Sequence, residues 1–87
     1  MKMRFTIEQR HLTDASGRPV SEQNAVSFHL QDADTLEEAV RLFVQDQQGE
    51  LIGDVLKFPG FQAVATVRRS GGVFTLQITP ASQQISL

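Results

Sequence analysis

A metal ion held by this chain would have to rely on imidazole and carboxylate, because the 87 residues include no cysteine. The candidates are His11 and His29 together with Asp14, Asp32 or Asp34. If the two N-terminal strands pair as a hairpin with residue numbers summing to about 35, His29 lies opposite Thr6, five positions from His11. That separates the imidazoles by about 17 Å at ~3.4 Å per residue and puts them on opposite faces. The spacing argues for solvated or hydrogen-bonded histidines and implies no metal or other cofactor.

Nucleophilic catalysis needs a hydroxyl beside a base that a third group orients. Of the six serines, none sits in a strand–turn–helix elbow, and neither histidine has an evident serine partner. Gly71-Gly72 leads into a strand pattern, whereas phosphate-cradling glycines open a helix. Asp54 breaks its own pattern: if Ile52, Leu56 and Phe58 face the core, its carboxylate does too, at high cost unless paired or protonated. A bulge at Gly53-Asp54 that turns the side chain to solvent is the preferred expectation. For anions, Arg68 and Arg69 end one strand, and Arg4 and His29 project from the polar side of the first two. No site residue is assigned a catalytic role.

The elements that must position these groups follow from periodicity. Alternation over 3–9 places Met3, Phe5 and Ile7 on one face, and alternation from Val26 opposes Phe28 and Leu30 to Ser27, His29 and Gln31. The register summing to 35 sets Phe5 against Leu30 and Ile7 against Phe28, so that both apolar stripes point into the core. Asp34 reads as an N-cap with Glu37 completing a capping box, and Gly49 as the C′ residue of a helix over 34–48. Leu36, Ala39, Val40, Phe43 and Val44 form its apolar stripe; Leu42 lies off that stripe and is a candidate partner-facing residue.

Three further strands are expected over 51–58, 61–69 and 73–79, separated by turns at Phe58-Pro59-Gly60-Phe61 and Arg69-Ser70-Gly71-Gly72. The tail at 81–87 has no period and is expected to fray. The order is ββαβββ: one α+β domain over residues 1–87, with one helix on one face of a five-stranded antiparallel or mixed sheet. A β-grasp-like arrangement, with parallel first and last strands, is the alternative.

The segment Asp34-Thr35-Leu36-Glu37-Glu38-Ala39, following a strand pair, resembles the helix opening of HicB-type antitoxins, which would imply a toxin as partner. The resemblance covers those six residues alone. The Pro-Gly-Cys stretch that precedes them in that family is missing, so no family is assigned.

Composition bounds the function. Eight Lys and Arg against ten Asp and Glu give a net charge of −2, which argues against nucleic acid as a partner. No run approaches the ~20 apolar residues of a membrane span, and Met1-Lys2-Met3-Arg4 leads into a strand pattern, so a cytoplasmic location is expected. All six aromatics are Phe, which suits a core better than a wet recognition surface. One helix about 10 Å across covers only two or three of five strands at ~4.8 Å spacing, leaving apolar surface over. Phe58 and Phe61 at the turn, or Val55, Val64 and Val73 on the outer face, are where another protein or a second copy would pack. The expected function is a non-catalytic protein-interaction or regulatory module; a nucleic-acid-binding or small-ligand-binding domain is the alternative.

Overall fold

The computed structural model describes residues 2–20 and 26–81. The elements are β1 (Met3–Thr13), β2 (Val26–Ala33), α1 (Leu36–Asp46), β3 (Glu50–Leu51), β4 (Leu56–Phe58), β5 (Gln62–Arg69) and β6 (Gly72–Pro80). They form one α+β domain in which a single helix packs on an antiparallel sheet. The strand expected over 51–58 is two short pieces, β3 and β4, both paired to β5. Gly53, at φ 74°, interrupts the run between them, a conformation that costs an L side chain but not glycine. Apart from Ala81, the tail at 81–87 lies outside the described residues.

The sheet order is β2-β1-β6-β5-β3, with every pair antiparallel. Since β1 and β6 are antiparallel neighbours, the β-grasp alternative is excluded. The helix crosses from one edge of the sheet to the other, leaving after β2 and returning as β3. On this inner face Phe5 and Ile7 of β1, Leu76 and Ile78 of β6 and Ala63, Ala65 and Val67 of β5 are buried beneath Leu36, Ala39, Val40, Phe43 and Val44. Each fully buried large side chain contributes about 1.5–3 kcal/mol of transfer free energy. Ala63 and Ala65 stand opposite Ile78 and Leu76, so small residues on β5 make room for large ones on β6 at native packing density.

Both helix ends sit one residue from the sequence expectation. Thr35, not Asp34, is the N-cap: its hydroxyl accepts from the Glu38 N–H at 3.1 Å, and the Glu38 carboxylate accepts from the Asp34 N–H at 2.7 Å. Glu37 instead pairs with Lys57. At the other end the Gln48 N–H reaches the Gln45 carbonyl and the Gly49 N–H reaches the Val44 carbonyl, a Schellman arrangement. The left-handed position is therefore Gln48, at φ 57°, with Gly49 one residue further on.

The largest correction concerns register. β1 and β2 pair with numbers summing to 36, so Phe5 faces Gln31 and Ile7 faces His29. A shift of one residue sends every side chain of a strand to the other face. Ser27, His29, Gln31 and Ala33 thus join the inner face, while Phe28 and Leu30 project outward beside Thr6 and Glu8. The physical reason is position: β2 is an edge strand, where a half-buried polar stripe suffices. Ala33, fully buried at the end nearest the helix, is the one inward residue of β2 that the core encloses.

Candidate interaction surface

Opposite the helix, the middle of the sheet is polar. By register, Thr6, Glu8 and Arg10 of β1 lie beside Thr79, Gln77 and Thr75 of β6, which in turn face Val64 and Thr66 of β5. The expected partner-facing Val64 and Val73 are on this face, but both are half-buried among those side chains. Leu42, also expected to be available, is half-buried and packs against the core, as does Val55.

Apart from Leu12 near the end of β1, the exposed large apolar residues among those described lie at the two edges of the sheet. On β2, Phe28 and Leu30 are 66% and 63% exposed. Across the sheet Leu56, Phe58 and Phe61 are exposed as well, with Gly60 and Phe61 both at positive φ in the turn between β4 and β5. Phe58 and Phe61 line a groove of about 340 Å³ with Met3, Leu36, Glu37 and Lys57 at the start of the helix. A second groove, about 590 Å³, opens over β1 and β2 and is lined by Lys2, Arg4, Thr6, Leu30 and Asp32 among others. Alternation in 26–31 made Phe28 and Leu30 legible as a stripe, but nothing in the sequence said which face the stripe would take.

The polar stripe that faces inward is internally satisfied. Ser27 Oγ lies 3.0 Å from His29 Nε2, the Gln9 amide donates to the same hydroxyl at 3.5 Å, and the His29 ring packs against Phe43 with centroids 5.0 Å apart. His29 therefore does have a serine partner, because residues two apart in a strand share a face. The pair lines neither groove. Its geometry serves to hydrogen-bond polar groups at the rim of the helix.

His11 is on the same inner face as His29, not the opposite one, at the far end of β1. It stacks on Phe74 with centroids 4.2 Å apart and bonds the Gly71 carbonyl at 2.9 Å, while the Arg69 guanidinium sits 4.3 Å above the same Phe74 ring and donates to Gln47. With Ile7 as His29's cross-strand partner, about 14 Å of strand separates the histidines. Among the described residues no group of three or more His, Asp and Glu could hold a metal ion.

The remaining charges are mostly paired. Arg4 holds Asp32 through two bonds at 2.9 and 3.4 Å, keeping that carboxyl below its ordinary range, chiefly through the Arg4 hydrogen bond. Lys57 does the same for Glu37, Arg10 pairs with Glu8 at 2.9 Å, and Arg41 lies 3.7 Å from Glu38. Asp14 is also held low, first by the Ser16 hydroxyl and then by the Arg18 N–H, and its carboxylate closes the turn after β1. Asp34 and Arg68 are exposed, the latter on the outer face opposite Val73. Asp54 is exposed in the stretch between β3 and β4, and it lines neither groove.

Comparison with family models, curated proteins and solved structures returns no match for this chain. Among the described residues no helix is long and apolar enough to cross a membrane.

Proposed function

We propose that this domain is a non-catalytic protein-interaction module whose docking element is the β2 edge. One observation carries the reading: Phe28 and Leu30 stand about two-thirds exposed, side by side on an edge strand, beside threonine and glutamine of β1 and β6 and paired charges on the outer face. Isolated exposed leucines are ordinary, but an apolar pair on a strand whose outer edge pairs with no other strand among the described residues offers a partner both area and main-chain hydrogen bonds. The nucleic-acid alternative has less support, since Arg4 and Arg10 on this face are neutralised by Asp32 and Glu8.

The test is affinity capture from the source cell with the wild-type chain, a Phe28→Ser/Leu30→Ser variant and a Phe58→Ser/Phe61→Ser variant. A protein retained by the wild type and the second variant but lost with the first is the expected result. Equal retention by all three would overturn the reading.

A further inference from the structure

We infer that the partner of the β2 edge is a second copy of this chain, joined by antiparallel β2–β2 pairing about a two-fold axis through His29; this rests on the reading of β2 as the docking edge. Long, flat edge strands are normally protected by lysine, proline, a bulge or an interruption. Residues 26–33, Val-Ser-Phe-His-Leu-Gln-Asp-Ala, carry none of these. The one charge, Asp32, is already held by Arg4. The opposite edge has several of these devices: it is broken between Leu51 and Leu56, bends at Gly53, carries Lys57, and is followed by Pro59 in the turn.

The edge is also complementary to itself. A two-fold axis normal to the sheet keeps each face on its own side, so paired residue numbers must have an even sum. A sum of 58 uses the length of the strand and sets Phe28 against Leu30 of the other copy, and Leu30 against its Phe28, on the outer face. On the inner face His29 meets its own equivalent and Ser27 meets Gln31. Asp32 falls opposite Val26, so no like charges are brought together. The neighbouring even sum of 60 would instead oppose Phe28 to Asp32.

Area sets the strength. An eight-residue strand is about 27 Å long, and a contact band about 15 Å wide over that length covers roughly 400 Å² per copy, below the ~800 Å² of a standard interface. An interface of that size favours a weak, concentration-dependent dimer. A closed two-fold dimer pairs both β2 edges and stops there, whereas β2 joining the β4 edge of the next copy would grow without closing.

The chain has no cysteine, so single cysteines report the register directly. In the full chain, His29→Cys should form a disulfide-linked dimer under mild oxidation, because directly paired Cα atoms lie within disulfide range. Phe28→Cys with Leu30→Cys should cross-link as a mixture, and each alone more slowly, since the diagonal is about 7–8 Å. Gly17→Cys, in the exposed turn, is the control.

Sedimentation equilibrium of the unmodified chain from about 5 to 500 µM should show a monomer–dimer transition that shifts at least tenfold in Phe28→Ser/Leu30→Ser. The mixed Phe28/Leu30 cross-link keeps the test decisive if His29→Cys loosens the fold. Monomer alone up to 500 µM, with cross-linking no faster than the control, would overturn self-pairing. If the capture experiment still shows a β2-dependent foreign partner, the docking edge stands and only its occupant changes; without one, both readings fall. Species that keep growing beyond dimer would also overturn the proposal.

Discussion

Phe5 and Phe28 are the same residue type on adjacent strands, and the register makes them opposite in worth. Phe5 is fully buried and Phe28 is 66% exposed. A phenylalanine presents about 200 Å², so Phe28 removes roughly a third of that, about 70 Å², from water. At ~25 cal/mol per Å² its truncation to alanine costs at most about 1.7 kcal/mol, and less once residual burial in the unfolded chain is counted. Phe5→Ala leaves a cavity under the helix and costs about 3–5 kcal/mol. That is a large share of the roughly 4–13 kcal/mol expected for 87 residues, so Ile7→Val, at about 1 kcal/mol, is the milder companion. Urea unfolding followed by far-ultraviolet circular dichroism suits a chain with no Trp or Tyr, and a concentration of a few micromolar keeps self-association out of the balance. A Phe28→Ala loss of 3 kcal/mol or more, equal to that of Phe5→Ala, would place Phe28 in the core and refute the register on which the docking surface depends.

Gln48→Gly should raise stability by about 0.5–1 kcal/mol, because glycine enters the left-handed C′ conformation that glutamine occupies at a cost; an unchanged or lower urea midpoint would contradict this. Gly72→Ala should lower stability by about 2–3 kcal/mol or more, since a Cβ there would fall 1.9 Å from the Thr13 carbonyl oxygen at a φ of 126°, and a wild-type midpoint would show that the end of β1 moves freely. Asp14, Asp32 and Glu37 all have carboxyl pKa values lowered by hydrogen bonds, from Ser16, Arg4 and Lys57 respectively. Their contribution is present above the unfolded carboxyl pKa of about 4 and is lost as pH falls through the lower folded values. The urea midpoint should therefore drop as pH is lowered below about 4, and a flat profile there would remove these pairs from the stability of the fold.

Local pattern was enough to specify most of the elements. Alternation in β1, β5 and β6 and the Leu36, Ala39, Val40, Phe43 and Val44 stripe are properties of residues within a few positions of one another, and the fold class followed from them. Ala63, Ala65 and Val67 meet Ile78, Leu76 and Phe74 because Ser70-Gly71 closes a tight hairpin, and a short turn fixes its own register. Between Thr13 and Val26 no such turn ties the strands, so the choice between sums of 35 and 36 was left to tertiary contacts. That one step decided the surface. It carried Phe28 and Leu30 to the outer face, brought His29 beneath Phe43 with Ser27 at its ring nitrogen, and put both histidines on the same side. Hydrophobic pattern alone favoured burying the apolar stripe of β2. The structure buries the polar one at the sheet's edge: the enclosed sheet residues come from β1, β6 and β5, while the inward Ser27, His29 and Gln31 of β2 are only half-buried, so hydrogen bonds replace apolar area.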